Sequence, residues 1–182
     1  MKNIVLIGMP GAGKSTIGVV LAKALNKKFV DTDLLIQETT GRHLQGILDA
    51  DGTATFRKIE EDIIISRRFH NTVIATGGSV VLSHKAMGHL KKDGIIVYLN
   101  VSLTEIEKRL VNITTRGIVL EKGQTLRAVY DQRVPLYEKY ADITIDCSGY
   151  DFERVVAKIL EQVRQRPGAG VKTGEDGHPG RG

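Results

Sequence analysis

The chain has 182 residues, of which 41% are apolar and 26% charged, enough for one soluble globular domain with a substantial core. Its 26 Lys and Arg outnumber its 21 Asp and Glu, for a net charge of +5, but they are scattered, without a basic run or interleaved aromatics. That argues against a nucleic-acid partner and leaves small anions as the reason for the surplus. No apolar run approaches membrane-span length, Cys147 is alone and cannot form an intrachain disulfide, and His43, His70, His84, His89 and His178 lack metal-ligand spacing.

Lys2–Ile7 carries a short apolar run that reads as a buried parallel strand. It leads directly into Gly8-Met9-Pro10-Gly11-Ala12-Gly13-Lys14-Ser15, a complete G-x-x-x-x-G-K-[ST] phosphate-binding loop. Its glycines let the amides around Gly11, Ala12 and Gly13 turn inward on a phosphate chain, Lys14 reaches the outer phosphates, and the Ser15 hydroxyl suits Mg²⁺. A helix over Lys14–Leu25, with Thr16 in its first turn, points its positive end at the same anion. A cleavable leader would destroy this loop, so a cytoplasmic location is expected.

Phe29–Asp31 is the second strand candidate and Asp33–Thr39 the second helix. In an extended chain Asp31 and Asp33 share one face, where one carboxylate can help hold hydrated Mg²⁺ and the other can take a proton from an attacking hydroxyl. Helix N-capping is the competing explanation. The helical pattern Ala54–Arg68 puts Arg57 three and four residues before Glu60 and Glu61, spacings that allow pairing. The strand Thr72–Ala75 runs into Gly77-Gly78-Ser79, a turn that admits close approach of a ligand.

His84–Lys91, Leu103–Asn112, Gln124–Tyr140 and Phe152–Gln165 complete the helices, and Ile95–Leu99 and Ile143–Asp146 the strands. Ser102-Leu103-Thr104-Glu105 is a capping-box sequence, and Phe152, Val155, Val156, Ile159, Leu160 and Val163 form one apolar stripe. The alternation predicts an α/β fold with a parallel sheet. A mobile lid is expected at about 112–123, and a disordered Gly- and Pro-rich tail at 166–182, which leaves residues 1–165 as the folded domain.

From Lys2 to Gln165 the order and spacing of these features resembles the shikimate kinase family: the phosphate loop, Asp31-Thr32-Asp33, Phe56-Arg57 with Glu60, Gly77-Gly78-Ser79, Arg116, and Arg133-Val134-Pro135-Leu136-Tyr137. The resemblance implies a P-loop NTPase fold of the nucleoside-monophosphate-kinase kind, a five-stranded parallel sheet flanked by helices with a mobile lid. It implies transfer of the γ-phosphoryl of ATP to the 3-hydroxyl of shikimate; a monomer is the separate expectation for its assembly. By the same resemblance Lys14 and the loop amides hold phosphates, Ser15 ligates Mg²⁺ directly and Asp31 through water, and Asp33 binds shikimate hydroxyls and serves as base. Arg57, Gly78, Ser79 and Arg133 surround shikimate, Glu60 orients Arg57, Arg116 closes over ATP, and Arg109 lies beside the adenine.

Three positions depart from the family pattern. Gly52-Thr53 stands where Gly-Glu is usual, Arg116 precedes Gly117-Ile118-Val119 instead of Pro-Leu-Leu, and Cys147-Ser148-Gly149 does not match the usual adenine contacts. A kinase of another hydroxy acid such as gluconate, or of a nucleoside monophosphate, is the alternative. A nucleotide-binding module without an acceptor ranks third, since Asn26-Lys27-Lys28-Phe29 lacks the Asp of a guanine-reading motif.

Overall fold

Five apolar runs pair side by side as a parallel sheet in the order β2-β3-β1-β4-β5: β1 Asn3–Ile7, β2 Lys28–Asp31, β3 Thr72–Ala75, β4 Gly94–Asn100 and β5 Ile143–Asp146. The computed structural model describes residues 2–111, 124–149 and 151–166. β1 is buried at every position, as a central parallel strand must be, whereas the edge strand β5 alternates buried Ile143 and Ile145 with exposed Thr144 and Asp146. The helices are α1 Lys14–Ala24, α2 Thr32–Thr40, α3 Leu44–Ser66, α4 His84–Lys92, α5 Leu103–Val111, α6 Leu126–Tyr140 and α7 Phe152–Arg164.

The expected elements are all present, most with ends shifted by one or two residues. The exception is α3, which begins ten residues before the expected Ala54 and changes direction at Gly52, where φ 80 and ψ 169 interrupt the helix. A residue with a side chain adopts that conformation only under strain, so Gly52 is what allows two helical pieces to join there. Ser102 caps α5 weakly, with its hydroxyl 3.4 Å from the Glu105 amide, but the reciprocal half of the capping box is displaced because Glu105 pairs with Arg109. The α7 stripe faces the core as expected, with Val155, Val156, Ile159 and Val163 buried.

The apolar interior divides in two. The main cluster runs along the sheet and under α1 and α4 to α7, from Ile4 and Leu21 to Tyr98 and Ile159. A small cluster of Ile36, Ile47, Phe56 and Ile63 joins α2 to α3 as a separate arm. Because β3 lies between β1 and β2, the segments that leave the carboxyl ends of all three strands face one crevice, where α/β sheets bind ligands.

Candidate active site

The segment after β1 curls tightly, with φ 79 at Gly11 and φ 91 at Gly13, which N-caps α1 without any side-chain cap. No acidic residue occupies the first turn of α1, so its leading amides remain directed at the crevice. The Lys14 ammonium lies along the curl and donates to the Gly8 carbonyl at 2.7 Å and the Met9 carbonyl at 2.8 Å. Ala12 is buried beneath the loop, and Thr16 stands exposed at its mouth. Arg109 reaches the loop from α5, donating to the Gly11 carbonyl at 3.2 Å while it pairs with Glu105.

Asp31 ends β2 and has two tasks. Oδ2 accepts from the Ser15 hydroxyl at 2.6 Å, and Oδ1 caps α2 by accepting from the Asp33 amide at 3.0 Å and the Leu34 amide at 3.4 Å. One carboxylate therefore caps α2 and fastens it to the phosphate loop at once. Asp33 does not continue an extended strand, as its two-residue spacing from Asp31 suggested; it lies in the first turn of α2. Its carboxylate turns instead toward the glycines after β3.

Those glycines are where the elements converge. A side chain at Gly77 would place its first carbon 2.6 Å from Glu60 Oε1 and 2.8 Å from Asp33 Oδ1. At Gly78 it would fall 2.8 Å from Pro10 of the phosphate loop and 3.3 Å from Arg133 Nη1. Only glycine lets α2, α3, α6 and the phosphate loop close to within contact of one turn. Thr76 keeps that turn in line with β1 by donating its hydroxyl to the Leu6 carbonyl at 2.9 Å.

The charges there are buried in opposed sets. Arg133 is 1% exposed and Glu60 2% exposed, with Arg57 half-buried on the same face of α3 as Glu60. The Ser79 hydroxyl donates to Glu60 Oε2 at 2.7 Å. Burial pushes the Glu60 carboxyl up to about 7; the Ser79 bond pulls it back, Asp33 raises it, and Arg133 and then Arg57 lower it. Glu60 thus faces both arginines and is anchored by Ser79, a wider connection than the pairing with Arg57 alone.

Arg57, Arg133, Asp33, Gly78 and Ser79 lie around one turn, and Lys14, Ser15 and Asp31 lie along the adjoining phosphate loop. Arg116 and the whole of 112–123 lie outside the described residues, as do residues 167–182 of the expected tail. Cys147 is buried after β5, its thiol pushed up to about 12 by burial first, which fits a packing role. Sequence reasoning gave no role to Thr32, buried and accepting from the Gly77 amide at 3.0 Å, or to Tyr137, whose hydroxyl donates to the Gly78 carbonyl at 2.6 Å. For Tyr137 a signal existed: it lies one helical turn after Arg133, on the same face of α6. Among the described residues no helix is long and apolar enough to cross a membrane.

A phosphate loop opening onto a separate polar chamber with its own arginines places the fold among P-loop kinases that act on small acceptors. The shikimate kinase family description matches residues 10–164, and the chain belongs to that family. It is 41% identical to a shikimate kinase of Thermodesulfovibrio yellowstonii over 89% of this chain and 95% of the relative. It is 40% identical to one of Rippkaea orientalis over 88% of this chain and 87% of the relative. Among solved structures, shikimate kinase from Acinetobacter baumannii in complex with shikimate superposes with a TM-score of 0.81 at 31% identity, covering 90% of this chain and 93% of that one.

Proposed function

We propose that this chain transfers the γ-phosphoryl group of ATP to the 3-hydroxyl of shikimate, releasing shikimate 3-phosphate and ADP. The observation that carries the reading is the shared turn. Pro10 of the phosphate loop and the buried Arg133 both crowd the space where a side chain at Gly78 would stand, so an acceptor held by that arginine lies beside the phosphate loop. Arg133 and Arg57 suit a planar carboxylate, which takes forked hydrogen bonds from guanidinium groups. Asp33, whose carboxylate lies against Gly77 of the same turn, accepts the proton of the 3-hydroxyl as its oxygen bonds to the γ-phosphorus and the bond to the β–γ bridging oxygen breaks. A loose transition state asks little basicity of it, and positioning supplies most of the rate.

The oxygens of Ser15 and Asp31, 2.6 Å apart beside the loop, fit Mg²⁺, which prefers one or two hard oxygen donors plus phosphate and water. Bound there, Mg²⁺ would neutralise phosphate charge. Lys14, held within the loop by the Gly8 and Met9 carbonyls, stands where its ammonium can meet phosphate oxygens. Arg109, braced by Glu105 against the Gly11 carbonyl, stands where it can flank the nucleotide.

The test is steady-state ADP release with Mg-ATP and, in turn, shikimate, gluconate, nucleoside monophosphates or no acceptor. Shikimate-dependent release over a low background is expected. Turnover with gluconate or a nucleotide but not shikimate would overturn the acceptor assignment, with Thr53 the first residue to revisit.

A further inference from the structure

We infer that the Tyr137 hydroxyl is a positioning group for the acceptor, acting with Thr32 to hold the Gly77–Gly78 turn between α2 and α6. The inference rests on the chamber above being the acceptor site. Tyr137 is fully buried, and its ring stacks on Tyr98 of β4 with centroids 5.2 Å apart and planes 21° from parallel. That stack leaves the ring little freedom, so the hydroxyl is delivered to a fixed point.

Three elements meet at that oxygen. It donates its one proton to the Gly78 carbonyl at 2.6 Å, and the Arg133 guanidinium hydrogen-bonds to it from one helical turn away. Met9 Sδ of the phosphate loop is 4.0 Å distant and is the weaker claimant for the same proton. Burial pushes the phenol well above its ordinary range, so it remains a neutral donor at working pH. One hydroxyl therefore sets both the orientation of the carboxylate-binding arginine and the height of the glycine turn beside it.

Thr32 secures the other end. Its buried hydroxyl accepts from the Gly77 amide at 3.0 Å, and it is flanked in sequence by Asp31 and Asp33. Pulling on the turn from the α6 side thus moves the first turn of α2, which carries the proposed base. Neither Tyr137 nor Thr32 needs to touch the acceptor. Their effect is to keep Arg133, Gly78 and Asp33 at fixed separations, the kind of support without which a site is present but too loose.

The experiment is steady-state kinetics of Tyr137→Phe, Thr32→Val and Thr32→Ser beside wild type, varying shikimate and ATP separately, with thermal melting of each. Tyr137→Phe keeps the stacked ring and removes only the hydroxyl. A KM for shikimate raised about tenfold, with KM for ATP within about twofold, is expected, since a buried carbonyl and a guanidinium each lose a partner. Thr32→Val should behave alike, and Thr32→Ser should restore the wild-type value. A lowered melting temperature with both KM values unchanged would make the hydroxyl merely structural and overturn the inference, as would equal losses toward both substrates. Absence of shikimate turnover in wild type would overturn the acceptor assignment as well; wild-type turnover with an unaffected Tyr137→Phe variant overturns this inference alone.

Discussion

Glu60 shows how a buried residue can hold a site together at a cost to stability. Its carboxyl is raised from 4.5 to about 7, with burial the largest cause. The folded protein therefore binds more protons at this position than the unfolded chain between those two values. Stability is highest below about pH 4.5 on this account and falls as pH rises toward about 7, the reverse of a salt-bridged carboxylate. The full shift corresponds to roughly 3 kcal/mol, since each pKa unit is worth about 1.4 kcal/mol. Urea denaturation of wild type and Glu60→Gln at about pH 5 and about pH 8 measures this directly. Wild type is expected to lose stability between the two, and Glu60→Gln, which keeps an acceptor for the Ser79 hydroxyl, to lose much less. Equal pH dependence in both proteins would show that Arg133 and Arg57 already hold Glu60 ionised at the lower pH.

At the scale of elements, the informative joint is Gly52 within α3. Its φ of 80 and ψ of 169 are accessible almost only to glycine, yet a side chain there would meet nothing within 4 Å among the described residues. Gly52→Ala therefore isolates backbone strain from steric collision, at a cost on the order of 1–3 kcal/mol. The mutant is expected to melt at a lower temperature, and its KM for shikimate should rise because Arg57 and Glu60 lie on the second piece of the helix. An unchanged melting temperature would mean the joint accommodates alanine by continuing the helix. This joint also marks where sequence reading stops. Residues 44–51 mix Leu44, Ile47 and Leu48 with Gly46, Asp49 and Asp51, and they become helical because those three apolar residues pack in the arm. The strands, the phosphate loop and the amphipathic α7 need no such partner and were legible. Asp31 and Asp33 were found for an incomplete reason, since strand alternation does not unite them; a cap and a glycine turn do. Thr32 was invisible as a site residue because its partner Gly77 lies 45 residues away in the chain, and Tyr137, though in register with Arg133 on α6, meets a Gly78 that lies 59 residues away.

The whole molecule is a sheet-centred body with a smaller arm of α2 and the first part of α3, and the two are unequal in apolar support. The main cluster joins all five strands and most helices, whereas the arm rests on Ile36, Ile47, Phe56 and Ile63 with a few half-buried neighbours. Burying one such side chain contributes about 1.5–3 kcal/mol, while ordering each backbone residue costs about 1–2 kcal/mol. Four buried side chains cannot order α2 and the first part of α3 by themselves, so the arm depends on Asp31, Thr32 and the glycine turn to fasten it to the sheet. Segments with few apolar contacts open below the free energy of global unfolding. Amides of α2 and of residues 44–51 should therefore exchange with deuterium by a local opening, well before those of β1 and β4. Ile36→Ala, which leaves a cavity in the small cluster, should speed arm exchange and leave β1 and β4 nearly unchanged. Shikimate at about a hundred times its dissociation constant should slow the arm amides by up to about a hundredfold where opening abolishes binding. Equal acceleration of sheet and arm amides by Ile36→Ala would show one cooperative unit. In that case acceptor binding would find its chamber already formed, and closing the arm would contribute nothing to discrimination between acceptors. If the arm opens alone, an acceptor's apparent affinity falls by the fraction of molecules with the arm closed, and an acceptor lacking a carboxylate for Arg57 and Arg133 binds the closed arm less tightly and so protects its amides less.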